Sequence, residues 1–396
     1  MKKFLKVLLS IFCFVLGGAV GALGTIWYTN PDSYQIPEVV ASNGSMATSH
    51  IDVQEIKNKD LSIHFLELDN KYTGDCTLIK VGNVEMLVDA GSKSSSIQHI
   101  KEYVDQYCTD GKLDYVVVTH AHEDHYAGFA TNETTDSLFD IYDVGDVIDF
   151  GSVIKEVTNK TVSNKMYSNY LRELGEERLD GNTIYTPVQD YFKDTDPKPR
   201  KFELGNGTGV FVEMLYQKFY NEEAETENDY SVCFQIVYDD NYYLFTGDLE
   251  KEGEESLVDH NAVGGKNEGL LHKVAVYKAG HHGSKTSSTD KLMQVIKPKV
   301  VCVCCCAGSS EYTTKNANQF PTQEFINNVY EANPTAEIYV TTLCLDYKTN
   351  SYESFNGNIV VCANAGKART IYFSNNTTNL KDTDWFKTNR TLPSAA

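Results

Sequence analysis

Seven consecutive residues decide how this sequence is interpreted: Thr119–His125, THAHEDH. The chain has ten histidines, and three of them, His120, His122 and His125, fall within this stretch. A strongly β-prone apolar run precedes them, which places the stretch in a loop at the end of a strand. On extended backbone His120 and His122 point the same way, while Asp124 and His125 reach a neighbouring position. Imidazole and carboxylate groups together predict a metal site, with Zn²⁺ the expected ion and Mn²⁺ or Fe the alternatives.

Two further groups follow predicted strands and are the candidates to complete this site. Asp248 comes after the strand at 242–246, where Gly247 allows a close backbone approach and a carboxylate would bridge two cations. His281 and His282 follow the strand at 273–277 and lie between glycines. Adjacent residues point in different directions, so one is expected to bind metal and the other to contact substrate or donate a proton. The spacing leaves open which histidine does which.

Asp89 ends another predicted strand, at 85–89. We interpret its carboxylate as a group that orients a ligand histidine or the His-rich loop without binding metal itself. A helix N-cap before Ser92 is the alternative interpretation.

Taken together, these residues resemble the metallo-β-lactamase superfamily. Within it, the chain is similar to the exported metallo-hydrolase domains of ComEC-like competence proteins over about residues 61–365, which include Gly74-Asp75 and the stretch HHGSKTS at 281–287. The resemblance implies an α/β fold, a four-layer αββα sandwich, with two divalent metal ions at one edge. The metal ligands that it implies are His120, His122, Asp124, His125, Asp248, His281 and His282.

The sequence departs from the superfamily pattern at one ligand position. Many members have a further histidine between the His-rich loop and the bridging aspartate, but this chain has none between His125 and Asp248. ComEC-like domains lack it too. Asn228 and Asp229 occupy the matching stretch and are candidate partial substitutes, with Asp229 expected to support the ligands. A His-Pro pair that is frequent in this subgroup is replaced by Phe320-Pro321.

The N-terminus predicts export. Three lysines within the first six residues precede the uncharged apolar run Val7–Trp27, which is long enough to span a membrane. We expect residues 1–27 to form an uncleaved anchor that holds the catalytic domain outside the cell, with a cleaved signal peptide and secretion as the alternative. We expect a linker over 28–60, a hydrolase domain over 61–375 that contains a lid or insertion over 129–228, and a loose polar tail over 376–396.

The predicted activity is metal-assisted hydrolysis of a phosphoester. Two cations about 3.5–4 Å apart would share a water-derived nucleophile and the carboxylate of Asp248. Asp124, His281, His282 and Ser284 form the predicted catalytic set: either histidine would protonate the leaving group, and Ser284 or Lys285 would contact the phosphate. Small molecules and cell-surface phosphoesters, including teichoic-acid decorations, phospholipid head groups and nucleotides, are the candidate substrates.

Three other functions remain open. A nuclease follows from the resemblance, but the formal net charge of −20 disfavours nucleic acid as a partner. Hydrolysis of a β-lactam or lactone would use the same metal chemistry. A degenerate, non-catalytic binding module would explain the missing histidine. The sequence does not predict the oligomeric state.

Overall fold

The computed structural model describes residues 46–132, 134–154, 165–179, 181–266 and 269–394. The predicted membrane anchor at 1–27 lies outside these ranges. Within them, no helix is both long enough and apolar enough to cross a membrane.

Two mixed β-sheets form the framework of the described chain. The strands are β1 (Ala47–His50), β2 (Leu61–Phe65), β3 (Thr77–Val81), β4 (Val84–Val88), β5 (Lys112–Val118), β6 (Asp143–Asp149), β7 (Ile184–Pro187), β8 (Lys201–Glu203), β9 (Phe211–Met214), β10 (Phe234–Tyr238), β11 (Asn241–Phe245), β12 (Val276–Lys278), β13 (Val300–Ala307), β14 (Glu337–Asp346), β15 (Ser351–Ser354), β16 (Ile359–Ala363) and β17 (Thr370–Phe373). The first sheet has the order β1-β17-β16-β2-β3-β4-β5-β6-β7, and the second has the order β15-β14-β13-β12-β11-β10-β9-β8. The predicted α/β fold is therefore confirmed, with two mixed sheets.

Nine α-helices accompany the two sheets in the described chain. They are α1 (Val53–Lys57), α2 (Ile97–Val104), α3 (Glu123–Tyr126), α4 (Leu138–Ile141), α5 (Lys165–Leu179), α6 (Lys251–Asn261), α7 (Asp290–Ile296), α8 (Gln323–Ala332) and α9 (Asp384–Asn389). On β2, His64 bonds to the hydroxyl of Tyr103 from α2, whereas its neighbour Phe65 stacks on Phe245 of the second sheet. Alternate residues of one strand thus face a helix layer and the opposite sheet. Apolar residues of α6, α7 and α8 form a second core with β13.

Parallel strands bring the predicted site residues to one edge. In the first sheet β4, β5, β6 and β7 run parallel, and in the second sheet β11, β12, β13 and β14 do so. Asp89 follows β4, the His-rich loop follows β5, Asp248 follows β11 and the histidine pair follows β12. Ligands commonly bind beyond the carboxyl ends of parallel strands, and here the ends from both sheets supply the site.

The structure differs from the sequence prediction in three segments. The expected linker over 28–60 contains β1, which pairs with β17 in the first sheet. The expected lid over 129–228 supplies β6 and β7 to one sheet and β8 and β9 to the other, so it extends the framework itself. The expected loose tail over 376–396 contains α9. It is held by the fully buried side chain of Leu380 and by the guanidinium of Arg390, which donates to the carbonyl of Pro321 at 2.8 Å.

Candidate metal centre

The His-rich loop is fixed by close contacts with the segment that follows β4. Thr119 donates its amide to Asp89 Oδ1 at 2.8 Å, and the amide of Ala90 donates to the carbonyl of His125 at 2.7 Å. Gly91 allows α3 to lie this close, because a Cβ there would come within 1.6 Å of the carbonyl oxygen of Asp124. The loop is thus held against the end of β4 before any ligand is considered.

Asp248 stands at the centre of a buried cluster of imidazoles. Its Oδ2 lies 3.2 Å from His125 Nε2 and 3.3 Å from His282 Nε2. Oδ2 of Asp124 lies 3.6 Å from the same His282 nitrogen. Two ligand atoms on one tetrahedral Zn²⁺ are separated by about 3.3–3.4 Å, so these spacings suit a shared cation. Both histidines and Asp248 are almost fully shielded from solvent.

Hydrogen bonds determine which ring nitrogen of His125 and of His282 is free to bind a metal. His125 Nδ1 contacts Asp89 Oδ2 at 2.8 Å, and His282 Nδ1 contacts the carbonyl of Cys304 at 3.0 Å. Because both partners accept, each Nδ1 carries the hydrogen and each Nε2 lone pair points at the cluster. His125 Nε2, His282 Nε2 and Asp248 Oδ1 are buried and have no hydrogen-bond partner among the described residues. Buried polar atoms without partners are rare, and a divalent cation would satisfy all three.

A second pair of imidazoles adjoins this cluster. His120 Nε2 lies 3.0 Å from His122 Nδ1, and the rings of His120 and His125 are 4.1 Å apart. The nitrogen separation is close to the about 3.3 Å expected for two nitrogens on one tetrahedral Zn²⁺. The predicted convergence of the His-rich loop, Asp248 and His282 is therefore seen in the structure, in two adjacent groups of ligand atoms.

Asn228 and Asp229 do not reach the imidazoles in the contacts of the described chain. Asp229 Oδ1 accepts the amide of Glu250 at 3.1 Å, and Asn228 Nδ2 donates to Glu250 Oε1 at 3.1 Å. Ser231, nearby in sequence, accepts the amide of Asp248 on its Oγ at 3.0 Å. Residues 228–231, which occupy the position of the missing histidine, thus support the site through Glu250 and the backbone of Asp248.

His281 occupies the rim of the centre. Its side chain keeps 22% of its surface exposed, compared with 1% for His282. Nδ1 contacts Thr286 Oγ1 at 3.0 Å and lies 3.4 Å from Glu250 Oε1. Both histidines have positive φ, 45° and 53°, a strained conformation for a residue with a side chain. The geometry favours His282 as the metal ligand and His281 as the residue that meets substrate.

Ser284 does not reach the buried cluster in the described contacts. Its Oγ bonds to Thr286 Oγ1 at 3.0 Å, and the side chain is 5% exposed. Through Thr286 it supports the ring of His281. The predicted contact between Ser284 and a phosphate remains a prediction.

A buried ion pair that the sequence did not predict lies beneath the centre. Asp75 and Lys278 form this pair, and both are at least 95% buried. Potential ligand atoms of Asp75, His125, Asp248 and His282 all lie within 4.8 Å of one another. However, Asp75 faces Nδ1 of His282 at 3.3 Å and Nδ1 of His125 at 3.8 Å, on the side of the rings away from Asp248. We therefore assign it to orienting the two ligands.

Charge determines the protonation of these groups. Burial alone would raise the pKa of Asp75, but the ammonium of Lys278 together with the imidazoles of His282 and His125 outweighs it and holds the pKa below its usual value. Burial alone would lower the pKa of His125, but the carboxylates of Asp248 and Asp89 raise it well above the usual value. The carboxylates thus attract positive charge into the centre, either protons or metal cations.

A cavity of about 350 Å³ opens above the cluster. Tyr312 donates its hydroxyl to Asp124 Oδ2 at 3.1 Å, and its ring lies 5.6 Å from that of Phe320. Phe320 also packs on the rings of His281 and His282. Where the related subgroup has a histidine, this chain therefore has an apolar wall. Lys93 is the one cationic side chain among the described residues that line the cavity.

Comparison with known proteins supports the resemblance that the motifs predicted. The family model described as the metallo-beta-lactamase superfamily matches residues 70–131, which include Asp75, Asp89 and the His-rich loop. Similarity to this superfamily is thus confirmed. The competence protein ComA of Neisseria gonorrhoeae is 36% identical over 103 residues, or 26% of this chain and 13% of that protein. The matched part is therefore a small share of that relative's length.

Among solved structures, the metallo-beta-lactamase fold protein YhfI of Bacillus subtilis is 10% identical. The match covers 71% of this chain and 95% of that one, with a TM-score of 0.39. Unliganded yeast PDE1 is 12% identical, with coverage of 71% and 87% and a TM-score of 0.37.

Proposed function

We propose that this chain is an exported, membrane-anchored hydrolase that cleaves phosphoester bonds with the help of two divalent cations, Zn²⁺ foremost. The observation that carries the proposal is the set of buried, unpartnered atoms around Asp248, namely His125 Nε2, His282 Nε2 and Asp248 Oδ1. One cation would be held by Asp124, His125, Asp248 and His282. The other would be held by His120 and His122, with Asp248 shared between them.

Each residue of the centre has a separate task. Bound divalent cations would supply an activated water and neutralise charge that builds on a phosphoryl oxygen. The carboxylate of Asp89 and the carbonyl of Cys304 keep the Nε2 atoms of the two buried ligands free. His281 directs Nε2 towards Asp248 Oδ2, at 3.9 Å, and Nδ1 towards Glu250. A protonated His281 could therefore donate from Nε2 to a leaving group while Glu250 holds the ring.

The charge of the residues that line the cavity favours a small substrate. Its lining contains four carboxylates, those of Glu123, Asp124, Asp248 and Glu311, and one lysine, Lys93. Lys93 itself is paired with Glu123 at 2.8 Å. The negatively charged lining would repel a polyanion along its whole length. A single phosphoryl group would instead be attracted by the proposed cations at the base of the cavity. The cavity therefore favours a compact phosphoester over a nucleic-acid strand.

Metal analysis combined with a substrate panel tests the proposal. The metal centre should hold two equivalents of metal, and the full chain should hydrolyse a small phosphomonoester or phosphodiester. Asp248→Asn and His282→Ala should each lose metal and at least 10²-fold in kcat, the scale at which removing one transition-state contact is felt. His50→Ala, which alters an exposed histidine in β1, is the matched control and should behave as wild type.

The panel also separates the competing functions. Turnover of a β-lactam or lactone, with no turnover of phosphoesters, would replace the proposed substrate class. Cleavage of DNA at a rate above that of small phosphoesters would favour the nuclease. A purified protein without metal and without turnover would refute the enzyme and leave a binding module.

A further inference from the structure

A second group of potential metal ligands lies at the other end of the first sheet. It comprises Glu85 on β4 and Cys108 and Asp110 in the segment between α2 and β5. Each of these residues offers one ligand atom, and the three atoms lie within 4.8 Å of one another. β4 and β5 both run from this end towards the His-rich loop, and the seven residues of β5 span about 20 Å. The group is therefore separate from the metal centre.

The thiol and the aspartate are already held at a suitable distance. Cys108 Sγ lies 3.7 Å from Asp110 Oδ1 and 3.1 Å from the carbonyl oxygen of Lys112. Sulfur and oxygen on one tetrahedral Zn²⁺ are about 3.6 Å apart, given bond lengths of about 2.3 and 2.1 Å. Asp110 is fixed in this position because its Oδ1 also accepts the amide of Lys112 at 3.1 Å.

Glu85 provides an independent indication of a ligand. Its side chain is 2% exposed, and one carboxylate oxygen is ion-paired with Lys80. The other oxygen, Oε2, is buried and has no hydrogen-bond partner among the described residues. A buried carboxylate oxygen without a partner is costly, and a cation at this position would remove the cost.

We propose that Glu85, Cys108 and Asp110 form a second type of metal site, which binds one thiophilic divalent cation such as Zn²⁺ or Cd²⁺. On binding, the Cys108 thiol releases its proton to solvent and the thiolate sulfur bonds to the metal. Two carboxylates and a thiolate then carry three negative charges, which the cation and Lys80 balance. The mixed sulfur and oxygen set disfavours Mg²⁺ and Ca²⁺, which prefer oxygen ligands alone.

Such a site would act as a structural clamp. Glu85 belongs to the hairpin of β3 and β4, whereas Cys108 and Asp110 connect α2 to β5. One cation would therefore join a hairpin, a helix end and a strand start that are otherwise linked only by hydrogen bonds and packing. The exposed side of Asp110 leaves a path for the ion to enter.

Cadmium titration of the full-length chain tests this site directly. The metal centre offers only imidazole and carboxylate ligands, so an ultraviolet thiolate-to-cadmium band must come from a cysteine outside it, and the cysteine variants identify which one. Wild type should show this band with a stoichiometry of one, and Cys108→Ser should lose it. Cys344→Ser is the matched control, because Cys344 is the one described cysteine that is partly exposed, and it should keep the band.

Two further variants keep the test informative if Cys108→Ser does not fold. Asp110→Asn changes an exposed side chain, so the protein should fold as wild type but bind cadmium at least tenfold more weakly. Glu85→Gln should also weaken binding at least tenfold. The proposal is overturned if wild type shows no band, or if the band disappears in Cys344→Ser and persists in Cys108→Ser. Hydrolysis measured on the same proteins is an independent readout of the metal centre.

Discussion

Asp89 illustrates how a single residue organises the centre without binding metal. Its carboxylate accepts the amide of Thr119, the hydroxyl of Thr119 and Nδ1 of His125, each at 2.8 Å. Its own backbone is at φ 57°, which a non-glycine residue adopts only when the surroundings enforce it. The carboxylate thereby fixes both the loop and the ring of one ligand.

Replacing Asp89 with asparagine should weaken metal binding without unfolding the protein. The amide oxygen can keep at most two of the three hydrogen bonds, and the charge that favours the Nδ1-protonated form of His125 is lost. Partners of this kind are worth about 10–100-fold in metal affinity. Competition with a coloured chelator would measure the change, with circular dichroism as the control for folding. Unchanged affinity would show that Asp89 has no role in orienting His125.

Lys278 should matter chiefly for stability. Lys278→Met leaves the buried carboxylate of Asp75 without its cation, and breaking a buried pair in this way costs about 3–5 kcal/mol. Urea unfolding should show a loss of that size, a large part of a typical domain's stability of about 5–15 kcal/mol. The double variant Asp75→Asn/Lys278→Met removes both charges and should recover more than half of the loss. Failure of the second substitution to restore any stability would contradict the pairing.

Residues of the centre could be predicted from the sequence only where they lie close together in the chain. His120, His122, Asp124 and His125 fall in one short loop after a strand, so their convergence follows from strand geometry. Lys278 gives no such signal. It is the last residue of β12, and its partner Asp75 lies far away in the chain, in the loop that leads into β3 of the other sheet. Side chains that meet only through the packing of two sheets carry no local pattern.

At the scale of elements, α6 controls the segment that follows the histidine pair. Glu254 on α6 accepts the amides of Ser288 and Thr289 at 2.6 and 2.8 Å, together with the hydroxyl of Thr289. Thr289 is the N-cap of α7. The buried carboxylate of Glu254 thus links α6 to the start of α7. It thereby fixes the end of the turn that follows His281 and His282.

The buried carboxylate of Glu254 makes the stability of the folded protein depend on pH. Burial raises the pKa of Glu254 from its usual 4.5 to about 7, although the donors that surround it act in the opposite direction. The folded protein therefore binds the proton more tightly than the unfolded chain does. The contribution is fully present below pH 4.5 and declines as the pH rises to about 7, by about 3 kcal/mol in total.

Glu254→Gln should remove this decline, because the amide stays neutral across the range. Urea unfolding of both proteins at several pH values between 4.5 and 7.5 would show it. Wild type should lose stability relative to the variant as the pH rises. Parallel curves would mean that Glu254 titrates alike in the folded and unfolded states.

Residues 129–228 show why some elements could not be predicted. Their strands β7, β8 and β9 have only three or four residues each, and the few buried positions are occupied by a mixture of polar and apolar residues, Thr186, Val212, Glu213 and Met214. Such short runs give neither a clear alternation nor a helical period. Pairing makes them strands, because β7 extends the first sheet beyond β6, and β9 and then β8 extend the second sheet beyond β10.

At the scale of the whole molecule, the metal centre joins the two sheets. His120, His122 and His125 come from the first sheet, whereas Asp248 and His282 come from the second. The ion pair of Asp75 and Lys278 crosses the same boundary. In the absence of cations, the buried carboxylates of Asp75, Asp89 and Asp248 and the partly exposed carboxylate of Asp124 surround the centre. Lys278 is the one permanent cation among the described residues around them. Metal binding is therefore expected to stabilise the contact between the sheets as well as to support catalysis.

Removing metal should accordingly lower the melting temperature. A ligand at a thousand times its Kd stabilises the folded state by about 4 kcal/mol, which corresponds to a shift on the order of 10 °C for a domain of this size. Differential scanning calorimetry with excess Zn²⁺ and after chelation would measure it. Asp248→Asn should lose most of the shift and keep only the part that the clamp contributes. Cys108→Ser should keep most of the shift, and a shift abolished by Cys108→Ser alone would place the stabilising ion at the clamp, because the two sites share no ligand.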